Sequence, residues 1–172
     1  RCPAWQTWRS GFTLLTAIAG WILGVFLPLS RTVILPEKLH QMADDFAAID
    51  DPQERLSFAV DRGRAHASLP ADAHTDAHLV PGCLSQAWIA GELTPEGLTR
   101  FRCDAASPLV KGLLGLLCEF FSEAPAAEVA LCELDPLATL RLTRDLTPTR
   151  QNGLAHARAR IREIAARLHP QP

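Results

Sequence analysis

Neither sign of charge dominates this chain. Its 172 residues carry 17 Lys and Arg against 19 Asp and Glu, a formal net charge of -2. That balance exerts no overall pull on nucleic acid or anionic lipid. The five cysteines, Cys2, Cys83, Cys103, Cys118 and Cys132, are odd in number and include no C-x-x-C pair. A disulfide framework and a zinc ribbon are both poor readings of such a set. The expected compartment is a reducing cytoplasm, with at least one thiol free to react. Tyrosine is absent, methionine occurs once, and there is no internal repeat or low-complexity tract. Low charge with 48% apolar residues excludes a wholly disordered chain, and the length suits a single folded domain.

Residues 1–33 differ from the rest. They carry Arg1, Arg9 and Arg31 but no acid, three of the four tryptophans (Trp5, Trp8 and Trp21), and an uncharged run from Ser10 to Ser30. Gly11 to Leu27 is apolar enough for a short membrane span ended by Pro28. Leu27-Pro28-Leu29-Ser30 offers no small-x-small cleavage site for a signal peptide. The only methionine, Met42, falls inside the first amphipathic segment. The first expectation is therefore an extension without structural role ahead of a true start near Val33, with a membrane anchor second and an export signal third. Residues 34–172 are expected to form the functional domain.

From Ile34 onward the punctuation is consistent. Asp51-Pro52, Ser107-Pro108, Asp135-Pro136 and Thr147-Pro148 each put a capping residue before a proline at the first helical position, where its missing N–H costs nothing. Pro36 opens a first helix with Leu39, Met42, Ala43, Phe46 and Ile49 on one face. The helix from Asp51 buries Leu56, Ala59, Val60 and Gly63 and runs until Pro70. Ala71 to His78 is a polar loop and Leu79-Val80 a short strand. Ser85 to Leu93 and Leu98 to Asp104 form a hairpin about the turn Thr94-Pro95-Glu96-Gly97. Its return strand puts Thr99, Phe101 and Cys103 on one side and Arg100 and Arg102 on the other. Ser107 to Ser122 is apolar almost all round and is the expected central helix. Helices over Ala124 to Leu134, from Asp135, and over Thr147 to Leu168 follow. Arg158, Arg160, Arg162 and Arg167 give the last one a basic exposed side, of the kind that is usually solvated, with docking of an acidic partner as the alternative.

The chemically informative residue is Cys83, between the Pro81-Gly82 breaker and a strand. The breaker makes a tight turn, so the thiol belongs at a loop tip that can enter another protein's cleft. Buried filler is the competing role for a free cysteine. Cys103, Cys118 and Cys132 suit that role better, having apolar neighbours on strand or helix positions.

Three spaced segments resemble the SufE-like sulfur acceptor family: Gly82-Cys83-Leu84-Ser85-Gln86-Ala87-Trp88, Asp104 to Leu113, and Leu146 to Leu154. The resemblance spans about residues 35 to 168. It implies an α+β fold with a small antiparallel sheet of two to three strands flanked by helices, similar to IscU-type scaffold proteins, with the apolar N-terminal extension unmatched. It also implies an acceptor that takes sulfur from a SufS-like cysteine desulfurase, stimulates it, and delivers the sulfur to a SufBCD-like scaffold complex for iron–sulfur cluster assembly. By position Cys83 would bear the persulfide. Asp104, Lys111 and Arg150 match motif positions near the cysteine loop or the partner surface. No resident cofactor or metal is implied beyond the transient persulfide, no nucleic acid or membrane is expected as a partner, and the protein would be a monomer or homodimer.

The residues themselves supply the chemistry. A thiolate attacks the outer sulfur of a partner's persulfide, at a rate set by thiolate fraction, nucleophilicity and access. An unperturbed cysteine, with a reference pKa of about 8.5, is only a few per cent thiolate at neutral pH. Backbone N–H groups from Gly82 to Ser85, or the Ser85 and Gln86 side chains, can stabilise the anion. Gly82 is the expected hinge, and Leu84 with its apolar neighbours is expected to cover the sulfur in the free protein.

Two other classes compete. Cys83 with His74, His78 or His156 as base would make a cysteine hydrolase. His66, His74, His78, Asp72, Asp76 and Cys83 offer zinc ligand types, but Pro70 and Pro81 confine the segment and a solvated loop is the better reading. A membrane-anchored interaction module would depend on the N-terminal extension.

Overall fold

The computed structural model describes residues 35–66 and 68–169, and all structural statements concern these. The expected extension, with Cys2 and the Gly11 to Leu27 run, lies outside the described residues. No described helix is long and apolar enough to cross a membrane.

Helix α1 (Leu35–Phe46) buries Leu35, Leu39, Met42 and Phe46. The helix stops at Phe46, short of Ile49, which is half-buried in the following turn and accepts a hydrogen bond on its carbonyl from Arg55. Asp51 caps α2 (Pro52–Ala65) as the sequence predicts, its Oδ1 accepting from Gln53 N–H at 2.9 Å and Glu54 N–H at 2.8 Å. Contrary to expectation α2 ends well before Pro70. His66 turns extended, and Leu69 N–H donates to the Cys103 carbonyl at 3.0 Å. Sheet-edge pairing thus captures the residues that the helix would have used. Ala71 to His78 contains two 3-10 turns, Ala71–Ala73 and Asp76–His78.

The hairpin is β1 (Ala87–Leu93) and β2 (Thr99–Ala105), antiparallel with Ala87 opposite Ala105 and Leu93 opposite Thr99. Gly97, at φ 79°, closes the turn through its N–H to the Thr94 carbonyl at 2.9 Å. Thr99, Phe101 and Cys103 are buried as expected, while Arg100 and Arg102 lie on the other face beside Glu92. The strand expected at Leu79-Val80 is only a single bridge from Leu79 to Trp88, and a second bridge joins Ser68 to Cys103. These two short pairings cover the outer edges of the two-stranded sheet, where bare backbone would otherwise recruit other chains.

Helix α3 (Pro108–Phe121) is the central element, with ten buried residues on all sides. It meets α2 at a glycine seam. A Cβ on Gly63 would collide with the Gly112 carbonyl oxygen, and one on Gly112 would stand 2.7 Å from the Val60 Cα. The backbones touch directly there.

Helix α4 (Ala126–Leu131) starts later than the sequence suggests, because Ala124 is tied to the sheet: its carbonyl accepts from both the N–H and the hydroxyl of Thr99, each at 2.9 Å. Helix α5 (Pro136–Thr139) follows its Asp135 cap, and α6 (Pro148–Leu168) closes the structure against α4, β1 and α3. The basic side of α6 is not simply solvated. Arg158 pairs with Asp135 at 2.9 Å, Arg162 with Glu133 at 2.6 Å, and Arg160 donates to the Ala77 carbonyl at 2.6 Å. Three of the four arginines therefore fasten loops to the helix, and Arg167 stands exposed, with no such bond among the described residues.

Candidate functional site

Cys83 lies on a loop whose base is tied twice. Val80 N–H donates to the Ala87 carbonyl at 2.8 Å, and Ala106 N–H to the Gln86 carbonyl at 2.9 Å. Between these ties Pro81 and Gly82 make the turn, with Gly82 at φ 72°, a left-handed conformation that glycine adopts without steric cost. Pro81, Gly82, Leu84 and Gln86 are exposed, whereas Cys83 and Ser85 are half-buried.

The sulfur rests against α6. A Cβ on Gly153 would stand 3.1 Å from the Cys83 Sγ, so the absence of a side chain there provides its seat. The expectation that Leu84 covers the thiol is overturned: Leu84 is 86% exposed, standing at the rim of the groove beside the sulfur while the helix does the covering. The chain turns at Pro81 and Gly82 and bends at Leu84 and Ser85, on either side of Cys83.

Beside the sulfur is an open groove of about 380 Å³, lined by Cys83, Ser85, Val110, Thr147, Arg150 and Leu154 among others. Its walls are partly apolar, but one end is the first turn of α6. The N–H groups of Thr149 and Arg150 have no acceptor within the helix, and Thr147 makes no side-chain cap. Together with the Arg150 guanidinium they bias the groove towards an anion. Gly82, Cys83, Ser85 and Arg150 are thus brought together, with Gln86 holding the loop base through its backbone.

Asp104 and Lys111 form a separate cluster outside the groove lining. Lys111 Nζ lies 2.9 Å from Asp104 Oδ1, which also accepts from Ala105 N–H at 2.8 Å. His74 Nε2 is 3.2 Å from Asp104 Oδ2, and the His74 ring stacks on Trp88 at 4.3 Å and 6°. Burial pushes the Asp104 pKa up, but the Lys111 hydrogen bond, the Ala105 N–H and the neighbouring positive charge outweigh it and hold the carboxyl below its usual range. The cluster fixes the end of β2 next to Ala106, one of the two ties of the cysteine loop.

The competing arrangements are not assembled. His74 is engaged by Asp104 and Trp88, His78 Nδ1 is 2.8 Å from the Ala73 carbonyl oxygen, and His66 Nε2 is 2.8 Å from that of Phe101. His156 does reach the loop: a Cβ on Gly82 would stand 2.5 Å from its Nδ1. Among the described residues no hydrogen bond joins that ring to the Cys83 sulfur and no carboxylate orients it. Nor do three or more His, Cys, Asp or Glu side chains converge to hold a metal ion among the described residues. The other described cysteines are buried. Burial pushes the Cys132 thiol pKa up, and a hydrogen bond with Cys103 followed by burial does the same for Cys118.

Sequence reasoning missed Gly153, Val110 and Leu154 as parts of the site. Gly153 did leave a signal: a glycine inside a helix costs about 1 kcal/mol against alanine and calls for a packing reason.

The family model described as "SufE: Fe-S metabolism associated domain" matches residues 40–165. The chain belongs to the SufE family. A SufE-like protein of Rhizobium etli, itself uncharacterised, is 31% identical over 131 residues, covering 74% of this chain and 88% of the relative. One from Rhizobium meliloti is 29% identical over 131 residues, covering 74% and 94%. The solution structure of a hypothetical protein from Thermus thermophilus matches with a TM-score of 0.60 at 21% identity, over 76% of this chain and 95% of that one. That likeness establishes the α+β fold. Family membership assigns the chain a role in iron–sulfur metabolism as a sulfur acceptor, with a cysteine desulfurase as its general kind of partner.

Proposed function

We propose that Cys83 is the residue that accepts the sulfur, receiving it from the persulfide of a cysteine desulfurase and stimulating that enzyme by clearing its product. The observation that carries this reading is the position of Cys83: on a loop with a glycine pivot, half-buried, at the edge of an open groove. A sulfur locked inside packed hydrocarbon would have ruled the reading out, and Cys83 has a way outward.

The Cys83 thiolate attacks the outer sulfur of the desulfurase persulfide. A new S–S bond forms on Cys83 while the partner's S–S bond breaks. The partner's cysteine sulfur leaves with the electron pair and takes up a proton, so no external oxidant or reductant is consumed. Arg150 and the open N–H groups of the α6 first turn face the groove and would attract the negatively charged sulfur of the arriving persulfide. Ser85 adds a hydroxyl to the groove, Gly82 lets the loop turn, and the Asp104–Lys111 pair steadies the end of β2, next to the Ala106 tie of the loop. The same exposed loop would then offer the sulfur to a SufBCD-like scaffold complex in the cytoplasm.

The test mixes the full chain with a cysteine desulfurase and free cysteine, then applies intact mass analysis and site mapping. One added sulfur on Cys83, removed by dithiothreitol, is expected. Cys83→Ser should still bind the enzyme but neither gain sulfur nor stimulate it. Stimulation by that variant equal to wild type, or sulfur found on a different cysteine, would end the proposal.

A further inference from the structure

Among the described residues two large apolar side chains stand almost wholly in water, Leu84 at 86% and Leu131 at 79% exposure. A lone exposed leucine means little by itself. Its place in the chain is what matters here. Leu131 ends the short helix α4, whereas Leu84 directly follows the sulfur-bearing residue. Cys83 rests its sulfur against Gly153, and Leu84 stands exposed at the rim of the same groove.

We infer that Leu84 is the anchor by which the desulfurase grips the loop, fitting an apolar collar at the entrance to that enzyme's persulfide. The inference rests on the function proposed above and names what the partner must present. For an S–S bond to form, the Cys83 sulfur must come within about 2 Å of the partner's sulfur. The next residue's Cα is only about 3.8 Å along the chain, so an enclosing entrance surrounds it too. A polar side chain would have to surrender its water there, whereas leucine has no polar atom to strip and gains by leaving water.

Desulfurase turnover measured against acceptor concentration, using full-length variants, tests this. Leu84→Gln should raise the half-saturating concentration about tenfold while leaving the saturated rate within about twofold of wild type. Leu84→Met should stay close to wild type. The rate at which iodoacetamide modifies Cys83 in the free protein should be the same in all three. An unchanged half-saturating concentration in Leu84→Gln overturns the anchor, as does a parallel change in alkylation rate, which would make Leu84 a cover for the sulfur. If wild type accepts no sulfur from the enzyme, the function proposed for Cys83 falls and the anchor with it. If wild type accepts sulfur and Leu84→Gln behaves identically, only the anchor falls.

Discussion

Two close contacts in this protein are both made by glycines buried in helices, and they differ in what faces them. At the α2–α3 seam Gly63 meets the backbone of Gly112, a carbonyl fixed within the central helix. At the sulfur seat Gly153 of α6 meets the side chain of Cys83, on a loop tied only at its ends. The first contact cannot yield without moving a helix; the second yields when a loop shifts. One amino acid therefore builds a rigid joint in the core and a releasable one at the site. What decides between them is the stiffness of the opposing group.

The largest expected effect comes from Gly63→Ala. The added methyl would overlap the Gly112 carbonyl oxygen, so α2 and α3 must separate and loosen the apolar layer around Leu113 and Leu116. Overpacking of this kind costs on the order of 3 kcal/mol. Urea unfolding should show a clear fall in midpoint with the slope retained. A midpoint equal to wild type would mean that the seam is as compliant as the loop, and the comparison would be broken.

Gly82→Ala should fall between the two cases. At φ 72° an alanine pays about 1–2 kcal/mol for the left-handed backbone. Its Cβ would also stand 2.5 Å from His156 Nδ1, but that ring is exposed and can swing aside. A double-mutant cycle with His156→Ala separates the parts. Removing the imidazole should recover the collision but not the backbone strain, leaving the double variant less stable than His156→Ala alone. Full recovery would assign the whole cost to the ring and none to the turn.

The hairpin, the proline-opened helices and the Cys83 turn were legible in the sequence because each is encoded locally. Alternation along Thr99–Ala105 states which side chains are buried, and Asp51-Pro52 states where a helix begins. The seat of the sulfur was not legible, since Cys83 and Gly153 are distant in the chain and no periodicity in either segment refers to the other. The roles of Arg158, Arg160 and Arg162 were misread for the same reason: a helix pattern shows which face is polar but not which loop docks on it. The end of α2 was misjudged because pairing with β2 overrode a continuing helical pattern. Leu84 was expected to cover the thiol because apolar residues are usually counted as cover, and its exposure depends on a bend that composition does not specify.

Gly153→Ala should have the smallest effect on stability, and its sign is informative. Alanine is favoured over glycine inside a helix by about 1 kcal/mol. Against this stands one contact of 3.1 Å with a sulfur whose loop can give by a few tenths of an ångström. Stability should therefore be unchanged or slightly raised, while the sulfur, pushed from its seat, should react with iodoacetamide severalfold faster in the free protein. Of two glycine-to-alanine changes in buried helix positions, one would then destabilise and the other would not, and only the one at the site would change thiol reactivity. If Gly153→Ala instead unfolds as readily as Gly63→Ala, the loop is as stiff as the core. A sulfur held that firmly could not leave its seat to meet a partner.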